Sequence, residues 1–297
     1  MAPTGLSRPT LNDISRVTES LEMLAPTWNV WVLMTLASQP LRYAEIKPRL
    51  PWLHDGQLHP KLGKLVDAGL VERTEHAPRH VTYGLTSRGT DLMPVLAVLA
   101  TWGDTHLEKP LIRNEATGEL EPKPLPPAQN IEDTLALITP RHTTALLWVL
   151  KSRGTAGAKS LAAEAMPETS PSNVYPPLRR LIDDDLIEVT KTGDFQLSAS
   201  GQALAPAYQA LSAWAAGRSL KGADAHPLWG QSPAPSQARS GAWLTTQSRR
   251  GVPSVASGAA GAPALSTRAP ATPWRASDLF SHQMPARPSA PAGGPRR

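Results

Sequence analysis

Apolar residues recur at helical spacing from the first stretch of the chain. Leu11, Ile14, Val17, Leu21 and Leu24 share one helix face, and Pro26 interrupts the run. Trp28, Trp31, Val32 and Leu36 begin a second apolar face that stops before Gln39-Pro40, and Tyr43 to Leu50 reads as a short helix. Leu58, Leu62, Leu65 and Val66 mark a fourth helix, ended by Gly69, which suits the left-handed residue after a helix terminus. Leu70–His76 and His80–Leu85 alternate as two strands about Ala77-Pro78. Thr86 or Ser87 then caps a last helix carrying Leu92, Val95, Leu96, Leu99 and Trp102. Two short helices followed by a two-stranded antiparallel hairpin describe a winged helix-turn-helix.

The pattern comes twice. Leu65-Val-Asp-Ala-Gly-Leu-Val-Glu72 matches Leu181-Ile-Asp-Asp-Asp-Leu-Ile-Glu188 at an offset of 116, and Leu85-Thr-Ser-Arg-Gly89 matches Leu197-Ser-Ala-Ser-Gly201 at 112. Trp102 matches Trp214 at 112, and Leu24-Ala-Pro26 matches Ile138-Thr-Pro140 at 114. A drifting offset with constant order is what duplication followed by loop-length change produces. The expected fold class is therefore mainly α with small antiparallel β-hairpins (α+β), as two tandem winged helix-turn-helix domains over 11–107 and 131–220. A Pro-rich linker is expected at 108–130, with a small hairpin about Asn114–Glu119. Pro60 and Pro176 hold matched positions and are read as early-turn prolines, where the missing donor costs nothing.

Composition changes the picture mainly at the end of the chain. The formal charge of +5 over 297 residues is unevenly spread: 221–297 hold nine Lys/Arg and two Asp/Glu, which leaves 21 basic and 23 acidic residues in 1–220. Bulk charge is thus weak support for nucleic-acid binding, and local patterning must carry that argument. The stretch 221–297, rich in Ala, Pro, Ser, Gly and Arg, reads as a disordered tail in which Trp229, Trp243, Trp274 and Phe280 are isolated aromatics. There are no cysteines, which excludes disulfides, thiolate metal sites and a thiol switch within this chain. No apolar run approaches a membrane span and the first residues lack a secretory apolar stretch, so the expected location is cytoplasmic.

The spaced residues Pro26-Thr-Trp28, Val32-Leu33, Leu36, Leu41-Arg42-Tyr43 and Glu45-Ile46 resemble the HxlR-type winged-helix transcriptional regulators. The likeness continues through Leu58, Leu62, Leu65, Ala68-Gly69-Leu70-Val71, Arg73, Tyr83, Leu85-Thr86, Gly89, Leu92, Pro94-Val95, Leu99 and Trp102, covering roughly 17–107. Pro26-Thr27 replaces the family's usual Gly-Lys before the tryptophan, and the cysteine often found upstream is absent. The second copy is similar but more diverged, and Val174–Leu181 resembles the recognition helix of PadR-type winged helices. The resemblance implies double-stranded DNA as partner. It also implies pairing through first and last helices, either as a homodimer or as an intramolecular pseudo-dimer of the two copies.

With Leu58, Leu62 and Leu65 taken as buried, about 100° per residue places Gly56, Gln57, Pro60, Gly63 and Lys64 on the far side, with Lys61 at the edge. Gln57 suits adenine, Lys61 and Lys64 suit guanine edges or phosphates, and His59 joins them as a candidate contact. The hairpin offers Arg73, Arg79 and His80, and the second copy offers Ser172, Asn173, Arg179 and Arg180. His76 and His80 flank a turn without a carboxylate cluster, so no metal site is assigned. Trp28, Trp31, Trp102, Trp148 and Trp214 read as packing residues that leave room for a Trp-lined effector pocket. No phosphate-cradling Gly loop, nucleophile elbow or paired-acid motif is present, so neither a cofactor nor enzymatic activity is expected. The expected function is a sequence-specific DNA-binding regulator acting as a repressor. The alternative is a protein-interaction module built on winged helices without DNA readout.

Overall fold

The computed structural model describes residues 5–77, 80–115 and 117–230. The first half opens with α1 (Arg8–Leu24), which starts ahead of Leu11 because Ser7 Oγ accepts the Thr10 amide at 3.4 Å and Pro9 fits the first turn. Trp28, at a left-handed φ of 75°, turns the chain into α2 (Asn29–Leu36). Then follow β1 (Leu41–Arg42), α3 (Tyr43–Ile46), a 3₁₀ turn at Lys47–Arg49, and α4 (Asp55–Asp67). The strands β2 (Val71–Ala77) and β3 (His80–Leu85) lead into α5 (Ser87–His106). A connector carries the hairpin β4 (Leu111–Arg113) and β5 (Leu120–Pro122), paired antiparallel as the Asn114–Glu119 reading expected.

The second half begins with α6 (Pro127–Ile138), earlier than the expected end of the linker at 130, because Pro127 sits in the helix's first turn. His142, at φ 69°, enters α7 (Thr143–Arg153) as Trp28 enters α2. Next come β6 (Thr155–Ala156), α8 (Ala158–Ala165), a 3₁₀ turn at Pro171–Val174 and α9 (Tyr175–Asp183). The strands β7 (Ile187–Val189) and β8 (Phe195–Leu197) precede α10 (Ala199–Ala203) and α11 (Ala205–Ala215). The sheets have the same strand order, β1-β3-β2 and β6-β8-β7, with antiparallel neighbours throughout.

The likeness of the halves extends to single atoms. The turn after α4 and the turn after α9 are both left-handed, Gly69 at φ 68° and Asp185 at φ 52°. Thr86 Oγ1 accepts the Gly89 amide at 3.0 Å, and Ser198 Oγ accepts the Gly201 amide at 3.0 Å. A Cβ on Gly89 would stand 2.1 Å from the Leu70 carbonyl oxygen, and one on Gly201 would stand 2.0 Å from that of Leu186. The helix start therefore presses on the strand start too closely for any side chain.

The halves share one continuous apolar core and meet along a reciprocal seam. Helix α6 lies on α5 as α1 lies on α11, α1 touches α7 as α6 touches α2, and α5 and α11 pack on each other. Trp102 Nε1 donates to the Ser200 carbonyl at 3.1 Å, and Trp214 Nε1 donates to the Arg88 carbonyl at 3.0 Å. Donor and acceptor have exchanged halves between these two bonds.

Two sequence expectations are corrected here. Pro60 is not in the first turn but inside α4, because the helix already starts at Asp55. Its missing N–H falls opposite the carbonyl of Gly56, which is exposed. The tail boundary at 221 also fails. Leu220–Ala225 form a 3₁₀ turn and Trp229 is 1% exposed, seated against Trp148 and Tyr208 at ring-centroid distances of 5.0 and 4.8 Å. His226 anchors this segment: its Nδ1 accepts the amides of Leu228 and Trp229 at 3.1 and 2.9 Å, so Nε2 carries the proton donated to Asp13 Oδ2 at 2.8 Å. The rest of the expected tail, 231–297, lies outside the described residues. Among the described residues no helix is long and apolar enough to cross a membrane.

Candidate nucleic-acid interface

Helix α4 owes its placement to Leu58, Leu62 and Leu65, each at most 1% exposed, which fasten one face to the core. Its start is fixed by Gln57, whose Oε1 accepts the His54 amide at 3.3 Å. Asp55, in the first turn, favours the positive end of the helix dipole and is neutralised locally. Lys47 Nζ lies 2.9 Å from its carboxylate and Tyr43 Oη donates to it at 2.8 Å. The Lys47 ammonium, with help from the Tyr43 hydroxyl, holds the Asp55 carboxyl below its ordinary range. Burial and the Asp55 carboxylate push the Tyr43 phenol up to about 12. The carboxylate at the start of α4 is therefore balanced by a cation that sequence spacing did not reveal.

The outward face of α4 is uncovered. Gly56, Gln57, His59, Pro60, Gly63 and Lys64 are exposed, and a Cβ built on Gly56 or Gly63 meets no atom within 4 Å. Lys61 behaves differently. It is half-buried, its ammonium donates to the Thr27 carbonyl in the turn between α1 and α2, and burial lowers its pKa although Glu132 opposes this. Glu132, from α6 in the other half, accepts the Trp28 amide at 2.5 Å, and burial pushes its carboxyl up despite that bond. Lys61 thus faces the α1–α2 turn and Glu132, whereas Lys64 is exposed on the open side with no ion-pair partner among the described residues. Trp28, Trp31 and Trp52 cluster beneath, with centroids 5.1–6.1 Å apart; Trp52 had no periodic signal to mark it.

Beside α4 the hairpin β2–β3 stands out from the body, with every residue of β2 beyond Val71 exposed. Arg73 is exposed and 3.4 Å from Glu75. His80 is half-buried, its ring 5.3 Å from that of His76, whose Nε2 pairs with Thr82 Oγ1 at 3.0 Å. Arg79 lies outside the described residues. Among the described residues no group of three or more metal-ligating side chains is assembled.

In the second half the Pro171–Val174 turn runs straight into α9, and Val174, Leu178 and Leu181 are buried as their counterparts in α4 are. Ser172, Asn173 and Arg179 are exposed, with Ser172 Oγ 3.2 Å from Ser170 Oγ. Arg180 is turned inward: it donates to Thr143 Oγ1 at 2.6 Å and lies 3.8 Å from Asp184.

Comparison with known proteins adds to this geometry. A family model described as HxlR-like helix-turn-helix matches residues 23–110. A protein of Bacillus subtilis (strain 168) named as the uncharacterized HTH-type transcriptional regulator YdzF is 31% identical over 87 residues, which is 28% of this chain and 80% of that protein. An uncharacterized HTH-type transcriptional regulator of Methanothermobacter thermautotrophicus is 36% identical over 81 residues, 27% of this chain and 62% of its own length. The HTH-type transcriptional regulator YodB of Bacillus subtilis is 28% identical over 95 residues, 31% of this chain and 85% of that protein. No solved structure matches the chain.

Proposed function

We propose that this chain, which belongs to the HxlR-like helix-turn-helix family, is a sequence-specific double-stranded DNA-binding transcriptional regulator. Its reader is α4, placed in the major groove. The observation that carries the reading is the open face of α4, apolar behind at Leu58, Leu62 and Leu65 and polar in front at Gln57, His59 and Lys64. Gly56 and Gly63 let the helix approach base edges closely, and the protruding β2–β3 hairpin sets Arg73 and His80 beside the groove for phosphate or minor-groove contact. Lys64 supplies a guanine or phosphate contact, and Gln57 reaches adenine once it leaves its capping bond. Lys61 supports the helix from behind. The simplest action of such a body is to occlude the sites it occupies, which is repression. The names of the relatives support the regulatory class.

The test is salt-dependent binding of duplex DNA by the full chain and by Lys64→Ala. Loss of one phosphate-neutralising lysine lowers the slope of log K against log salt by about 1. Binding that is unchanged in Lys64→Ala, in both affinity and slope, refutes this choice of helix face. Absence of salt-dependent duplex binding by the wild-type chain refutes the regulator reading and favours a protein-docking module.

A further inference from the structure

The seam between the halves has the reciprocity of a symmetric dimer, yet it lies within one chain. The exchanged bonds Trp102–Ser200 and Trp214–Arg88, and the exchanged helix pairs α1–α11 and α6–α5, relate the two halves by one operation. The same operation relates α4 to the turn-plus-helix 171–183, since 55–67 and 171–183 correspond residue for residue. One chain therefore carries two reader helices in a dimer-like arrangement.

The two readers are chemically unlike. Gln57 faces Asn173 across the correspondence, His59 faces Tyr175, and Gly63 faces Arg179. Lys64 is free, whereas its counterpart Arg180 is held by Thr143 and Asp184. The available cation thus moves by one position, about 100° around the helix. The hairpins differ too. β2 and β3 have seven and six residues, and β7 and β8 have three each. At about 3.3 Å per residue the second hairpin projects roughly 10 Å less.

From these features we infer, building on the proposed function, that a single chain reads a bipartite and asymmetric operator: one half-site by α4 with its long hairpin, a different half-site by the 171–183 turn-plus-helix, through Asn173 in the turn and Arg179 on α9. A homodimer using α4 twice would instead read an inverted repeat.

Selection of duplexes from a random pool by the full chain tests this, together with the mass of the complex on the selected duplex. The expected result is two unrelated sub-motifs at fixed spacing, about one duplex turn apart or a multiple of it, occupied by one chain. Lys64→Ala and Arg179→Ala, both on exposed side chains, each weaken binding roughly 5- to 150-fold, and each relaxes preference in a different sub-motif. An inverted repeat holding two chains overturns the inference and leaves the DNA-binding reading standing. So does a single sub-motif with Arg179→Ala indistinguishable from wild type. Failure to enrich any sequence, with no salt-dependent binding, overturns both.

Discussion

Gly103 is a point where the two halves approach closely through backbone. It lies in the last turns of α5, and a Cβ built there would stand 2.6 Å from the Asn130 carbonyl oxygen and 2.6 Å from Thr134 Oγ1, both on α6. Thr134 Oγ1 is itself committed, donating to the Asn130 carbonyl at 2.7 Å inside the buried seam. Gly103→Ala forces α6 away by several tenths of an ångström against a fixed helical backbone, an overpacking cost of about 1–3 kcal/mol. The change also relieves the glycine penalty in a helix, worth up to about 1 kcal/mol and less near a helix end. Gly63→Ala supplies the control: it is also in a helix interior, but nothing lies within 4 Å of the added methyl. It therefore gains the roughly 0.5–1 kcal/mol without the clash. Urea denaturation of both variants, followed by tryptophan fluorescence and far-UV circular dichroism, measures the difference. The expectation is a lower midpoint for Gly103→Ala and a higher one for Gly63→Ala. A Gly103→Ala midpoint equal to or above that of Gly63→Ala would show that α5 and α6 are not held together here, and the account of the seam would fall with it.

Three further outcomes follow from the same contacts. Trp102→Phe and Trp214→Phe each delete a donor to a carbonyl in the other half, at a cost of about 1–3 kcal/mol apiece, and calorimetry should show both variants melting in one transition; a separate transition for each half in the wild type would contradict a shared core. Burial alone would raise the Asp13 carboxyl, but hydrogen bonds from His226 and Ser212 and the charge of Arg218 hold it below its ordinary value. Its stabilisation is therefore complete above about pH 4 and fades as pH falls through the lowered value, so the stability gap between wild type and Asp13→Asn, about 1–3 kcal/mol at pH 7, should narrow at pH 3. A gap that widens on acidification would be the wrong sign. Lys61→Ala should reduce stability through loss of its bond to Thr27 while changing the salt slope of DNA binding less than Lys64→Ala does, a comparison made by melting and titration on the same preparations.

Much of the architecture was legible because it rests on short-range rules. The stripe Leu58, Leu62, Leu65 reports a buried helix face on its own, and Gly69 marks a left-handed stop; both are as read. The repeat told where Asp185 would stand in for that glycine. What escaped depends on contacts distant in sequence. The direction of Lys61 is decided by a carbonyl 34 residues upstream and a carboxylate on α6, neither of which enters a helical projection. Pro60 was misplaced because the cap that starts α4 is a Gln57–His54 bond rather than a serine or aspartate signal. Trp229 was hidden by composition: one aromatic among prolines and alanines has no periodicity, and the Asp13 that fastens its neighbour His226 is 213 residues away. Local physics writes itself in spacing, whereas these contacts exist only after the chain has closed on itself.

The covalent joining of the two halves through residues 107–126 has a consequence of its own. A partnership formed between separate molecules weakens on dilution and carries every replacement in duplicate, so each change must suit two places at once. Here the partner arrives with the same synthesis, at a local concentration that a short tether keeps high however scarce the protein is. Each side can then accept a change the other never sees. The Gly103 that admits α6 corresponds to Ala215 in α11, so the two sides of the seam already differ at this place.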